Sequence, residues 1–154
     1  MQSGRKGKIA FVMLDDGKGS AEIVVFNEVF DASRTVLRED ALVVVEVKVT
    51  MRMSDDGEPQ GLRILAEQVH DLAAVRKRWG KRLKVSCNGN ASVEHLADIL
   101  APFRAEGLPV TVHYANAAVE GDVELPDAWR VAPDDALIAR LTDWLAPENV
   151  QVLY

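Results

Sequence analysis

Apolar residues fill Ile9–Leu14 and again Ile23–Phe26, with Asp15-Asp16-Gly17-Lys18-Gly19-Ser20 between them. Those six residues favour positive φ or hydrogen-bond their own backbone, so the pattern predicts strands at Lys8–Leu14 and Ala21–Phe26 joined by a tight turn. A lone hairpin is not stable in water, so it must join a larger sheet. Asn27 stands where it can cap a short helix reaching about Leu37, with Val29, Phe30, Ser33 and Val36–Leu37 in rough helical period. A long strand is predicted at Leu42–Met51 and a returning strand at Leu62–Val69. The acidic loop Ser54–Gly61, punctuated by Gly57, Pro59 and Gly61, separates them.

The order strand, strand, short helix, strand, strand fits an OB barrel whose first strand is largely missing, because the OB fold places its helix between the third and fourth of five strands. The second half changes period. Asp71–Arg78 predicts a connecting helix with Arg76, Lys77 and Arg78 at its C-terminal end, stopped by Gly80. Then follow a strand at Arg82–Cys87, a turn at Asn88-Gly89-Asn90, and a helix capped by Ser92 or Asn90 and reaching Phe103. Its apolar stripe is Val93, Leu96, Leu100 and Phe103. Strands are predicted at Pro109–Tyr114 and Val119–Leu125, a helix from Pro133 to Leu145, and a last strand at Asn149–Tyr154. The expectation is an α+β protein: an OB unit over residues 1–72, a connecting helix over 73–79 and a small βαββαβ domain over 80–154.

Composition alters this picture little. The chain is 48% hydrophobic, enough for a core, and only 6% aromatic, so stacking platforms are sparse. Residues 1–79 carry 12 Lys/Arg and 13 Asp/Glu, net −1, and residues 80–154 carry 6 and 11, net −5. Two halves so different in charge suggest different partners. The single cysteine, Cys87, excludes an internal disulfide and a cysteine metal cluster. With no apolar run of membrane-spanning length and no signal-type core after the basic start MQSGRKGK, a cytoplasmic protein is expected.

Little in the sequence points to catalysis. Asp15-Asp16 and Asp55-Asp56 fall in turns and Asp134-Asp135 at a helix start, where turn and cap chemistry explains them better than metal chelation. His70, His95 and His113 have no metal-ligand spacing, and neither a phosphate loop nor a dinucleotide fingerprint is present. No cofactor or metal is expected. An OB barrel binds nucleic acid on the face of its second and third strands and on the loops between strands one and two and strands four and five. On that scheme Arg5, Lys6 and Lys8 line the first loop, Phe11 and Phe26 are stacking candidates, and Arg52 and Arg63 flank the second loop. Asp55, Asp56 and Glu58 oppose them, so any binding is expected to be weak and salt-sensitive. Trp129, Trp144 and the apolar end Val150-Gln151-Val152-Leu153-Tyr154 suggest a protein contact, since Trp and Tyr are enriched at interfaces.

The segment GKIAFVMLDDGKGSAEIVVF, followed by DALVVVEVKV and GLRILAEQVHDLAAVRKRW, closely resembles the C-terminal region of the α subunit of bacterial DNA polymerase III. APFRAEGLPVTVHY, WRVAPDDALIARLTDWL and ENVQVLY resemble that subunit's final domain. The most specific marks are Leu14–Phe26 and the W-R-V-x-P-x-D motif at Trp129–Asp135. The resemblance implies an OB domain that holds single-stranded template DNA and a final domain that docks the τ subunit of the clamp loader, with Val150–Tyr154 and Trp144 as candidate contacts. It also implies a non-catalytic excised module, since the polymerase palm, thumb, fingers and clamp-binding motif lie upstream in that family. The same hairpin is similar to the anticodon-binding OB domains of class II aminoacyl-tRNA synthetases, a reading disfavoured by the small βαββαβ unit that follows. A free-standing protein-interaction adaptor is a third reading, and it predicts no nucleic-acid affinity.

Overall fold

The computed structural model describes residues 9–88 and 91–154. The chain divides into two compact units between Leu72 and Ala73.

In the first unit the strands β1 (Ile9–Asp15) and β2 (Ser20–Phe26) form the expected antiparallel hairpin, with Ile9 opposite Phe26 and Asp15 opposite Ser20. The turn is made by its aspartates. The Asp15 carboxylate accepts from the Gly17 amide at 2.7 Å, and Asp16 accepts from Lys18 and Gly19 at 2.9 and 2.8 Å. Gly17 supplies the positive φ of +79°. These backbone donors hold the exposed Asp16 carboxyl below its ordinary pKa.

Helix α1 covers only Asn27–Ala32. Its N-cap is Phe26, which makes no side-chain cap bond, and tight turns on the Ser33 carbonyl replace the further helix predicted to Leu37. The strands β3 (Val44–Met53) and β4 (Pro59–His70) pair antiparallel, with register shifts at Glu46/Val47 and Arg52/Met53. Sheet order is β1-β2-β4-β3, with β2 and β4 parallel at Val24 opposite Leu65. Among the described residues β1 and β3 are therefore the edges of an open four-stranded sheet. Its inner face buries Ile23, Val25 and Ala66 under Val29, Phe30 and Leu37, with Ala10, Val12, Leu14 and Ile64 packed alongside.

Helix α2 (Leu72–Trp79), the helix expected to connect the two units, lies from Ala73 onward in the second unit. That unit continues through β5 (Arg82–Asn88), α3 (Val93–Leu100), β6 (Arg104–Leu108), β7 (Val110–Ala115), β8 (Glu120–Glu124), α4 (Asp135–Leu145) and β9 (Val150–Leu153). The predicted turn at Asn88–Asn90 lies partly outside the described residues. Ser92, not Asn90, caps α3, its hydroxyl accepting from the His95 amide at 3.2 Å. Asp134 caps α4 through the Leu137 amide at 2.9 Å.

The sheet order β8-β7-β5-β9 has β5 and β7 parallel around α3, with β8 and β9 antiparallel on the outside. Leu83, Val85, Val110, Leu96, Leu100, Leu137 and Leu141 form one core between sheet and helices. The short strand β6 is additional to the expected pattern. It bridges to Val131, and a Cβ at its Gly107 would sit 2.1 Å from the Val131 carbonyl oxygen, so only glycine lets the two backbones approach. The Trp129–Asp135 motif serves this crossing. Arg130 Nε donates to the Gly107 carbonyl oxygen at 2.9 Å, Val131 is fully buried, and Asp134 is the cap.

Candidate functional site

The register sorts the side chains of the first sheet onto two faces. Phe11 lies opposite Val24, Val24 opposite Leu65, and Leu65 opposite Lys48, so one row crosses all four strands. Residues two apart on a strand share a face. That outer face therefore also carries Met13 on β1, Phe26 on β2, Arg63 on β4, and Thr50 and Arg52 on β3. Phe11 and Met13 are 64% and 63% exposed, although they stand in strands rich in apolar residues. The Arg63 guanidinium carbon is 5.9 Å from the Phe26 ring centre, which fixes a cation beside an aromatic.

The face grades from an apolar edge on β1 to a basic edge on β3. Rings on which bases can stack, beside cations that neutralise phosphates, are the physical requirements for holding a single strand. Of the sequence candidates, Phe11, Arg52 and Arg63 share this face, while Arg5, Lys6 and Lys8 lie outside the described residues. Met13 and Lys48 were missed, although the alternation Lys48, Thr50, Arg52 was the signal that would have found Lys48. The acidic loop is a closed turn, with the Ser54 hydroxyl accepting from the Glu58 amide at 3.0 Å. Among the described residues no group of three or more His, Cys, Asp or Glu side chains is arranged to hold a metal ion. None of the described helices is long and apolar enough to cross a membrane.

The partner-contact candidates in the second unit fall on different surfaces. Val150 and Val152 pack against the core on the helix side, with Val152 opposite the buried Leu83. Gln151 and Leu153 lie opposite Lys84 and Arg82 on the sheet's other, open face. Tyr154 is 55% exposed. Trp144 belongs to the helix layer, its ring edge-on to His95 with centroids 4.8 Å apart.

The open face is a ladder of matched charges. Arg82 pairs with Glu124 at 3.4 Å, Lys84 with Asp122 at 3.1 Å, and His113 Nδ1 with the other Asp122 oxygen at 2.6 Å. The hydrogen bond from His113, then that from Lys84, holds the exposed Asp122 carboxyl below its usual pKa. Cys87 is a buried thiol on the helix side, its pKa raised by desolvation.

Sequence comparison also divides the chain into two parts. Residues 1–72 match the family described as OB-fold nucleic acid binding domain, and residues 95–145 match DNA polymerase III subunit alpha, C-terminal domain. DNA polymerase III subunit alpha of Neisseria meningitidis is 33% identical over 152 residues, 97% of this chain and 13% of its own length. The Pseudomonas aeruginosa subunit is 32% identical over 158 residues, 100% of this chain and 13% of its own length. The Escherichia coli subunit is 26% identical over 156 residues, 99% of this chain and again 13% of its own length. The chain is homologous to the C-terminal region of DNA polymerase III subunit alpha, and it spans 13% of the length of these relatives.

Proposed function

We propose that this chain is a non-catalytic module of a bacterial replicative DNA polymerase. Its first unit holds single-stranded DNA near the polymerase, and its second unit docks the τ subunit of the clamp loader. The setting is the bacterial cytoplasm, with the rest of the polymerase as the covalent neighbour. The observation that supports the DNA reading best is the row Phe11–Val24–Leu65–Lys48 with Phe26 and Arg63 beside it. It brings apolar stacking surface and unburied cations onto one face. The τ reading is supported by the match of residues 95–145 to the polymerase subunit's C-terminal domain, and by exposed Leu153 and Tyr154 at the end of β9.

The test is a fluorescence-anisotropy titration of a labelled single-stranded oligonucleotide at two salt concentrations. Lys48, Arg52 and Arg63 together predict a slope of log affinity against log salt of about −2. Lys48→Glu should weaken binding and flatten the slope. Absence of binding at low salt, or binding indifferent to salt, would remove the DNA reading.

A further inference from the structure

Helices α3 and α4, together with Phe103, Arg104 and Trp129 in the segments between them, carry rings and guanidinium groups. His95 on α3 meets Trp144 on α4 edge-on, the ring planes 80° apart. The Arg140 guanidinium carbon lies 5.3 Å from the Phe103 ring centre, and that of Arg104 lies 5.0 Å from the Trp129 ring centre. Arg104 Nε also donates to the Ala128 carbonyl oxygen at 2.7 Å. Arg140 and Trp144 are four residues apart on one helix and so share a face. Phe103 and Arg104 are chain neighbours, which joins the two stacked pairs into one seam.

The three rings are half-buried and both arginines are exposed. Residues 80–154 carry 11 acids against 6 bases. Elsewhere in the unit Arg76 meets Asp135, Arg82 meets Glu124, Lys84 meets Asp122 and Arg130 meets Asp127. Among the described residues neither Arg104 nor Arg140 has such an acid partner. A guanidinium already seated on a ring has less freedom left to lose when it binds, and its planar fork matches a carboxylate. Arg and Trp are also the residue types enriched where binding energy concentrates.

We infer that Phe103, Arg104, Trp129, Arg140 and Trp144 form a protein-docking seam for a carboxylate-bearing segment of the τ subunit. The inference rests on the proposed τ reading and places the contact on α4 and the segments that hold Phe103, Arg104 and Trp129 rather than on the terminal strand alone. Nucleic acid fits less well, because an acid-rich unit repels a polyanion beyond the immediate contact. A short acidic peptide needs only the two forks and the rings between them.

The test is isothermal titration calorimetry of the whole chain against purified τ, with Arg140→Gln, Arg140→Glu and the double variant R104Q/R140Q, each checked by thermal melting. R140E should weaken τ binding about 10-fold or more with an unchanged melt, and R140Q should weaken it less. If the unmodified chain binds τ and all three variants bind equally well, the seam is overturned while the τ reading stands. If the unmodified chain does not bind τ, both fall. If R140E lowers affinity for a labelled single-stranded oligonucleotide and leaves τ binding intact, the seam contacts nucleic acid and the inference is wrong.

Discussion

The two units put similar side chains to opposite uses. The second buries nine apolar residues in one cluster between a sheet and two helices, whereas the cluster of the first buries three and the sheet leaves Phe11, Met13 and Phe26 in view. Strand composition does not explain the difference, because both sheets are rich in Val, Ile and Leu. Layering does. In the second unit α3 and α4 cover one face and a charge ladder occupies the other. In the first, the six-residue helix α1 and the turns after it cover part of the inner face, and the outer face buries Val24 but keeps Phe11, Met13 and Phe26 in water. A sheet that leaves large rings exposed has surface to spend on a ligand, while a sheet that hides them gains stability.

Breaking the second unit's core should have the largest effect. Leu141→Ala removes a fully buried side chain and should cost about 3 kcal/mol in chemical denaturation, with DNA affinity of any surviving folded protein unchanged. The converse is Phe11→Ala. That ring is exposed, so stability should stay within about 0.5 kcal/mol. Single-strand affinity should fall by about 1–3 kcal/mol in the anisotropy assay if a base stacks there. Loss of stability without loss of affinity would show that the exposed ring serves packing instead.

Removing the α4 cap with Asp134→Ala should cost about 1 kcal/mol in a denaturant melt, confined to the second unit. The smallest effect concerns the charge ladder. Asp122 has a lowered pKa in the folded protein, so its contribution is present above the ordinary carboxylate range and is lost as pH falls through the folded value. Melting temperatures of the unmodified chain and of Asp122→Asn should therefore differ at neutral pH and converge below about pH 4. A constant gap across that range would remove the ladder from the stability of the open face.

Much of this architecture was legible from the residues. The Asp-Asp-Gly turn, the paired strands after it and the Asp134 cap rest on local chemistry that operates wherever the segment sits. Helix α1 ended early because nothing caps it and the Ser33 turns compete with it. The strand β6 was invisible because Arg-Ala-Glu-Gly-Leu has no alternation and its pairing depends on a distant Val131. The site was legible in part. Alternation shows that Phe11 and Met13 share a side, but only the pairing with β2, β4 and β3 brings Lys48 into the same row. The same rule, applied to Val150–Leu153, separates the residues facing the core from those facing outward, which a list of apolar residues at the chain's end does not do.

The strand order of the first sheet also sets a clock. Around Val24 and Leu65 the backbones of β2 and β4 are flanked by a strand on each side, whereas among the described residues β1 and β3 have a neighbour on one side only. In deuterated water the amides of β2 and β4 near Val24 and Leu65 should be the last in this unit to exchange. Every second amide of β1 and β3 should exchange early, because it points away from the sheet. A ligand lying flat on the outer face would leave that alternation in place, whereas one adding backbone hydrogen bonds along an edge would erase it on that strand alone. The exchange pattern thus distinguishes recognition by side chains from recognition by main chain without a single substitution.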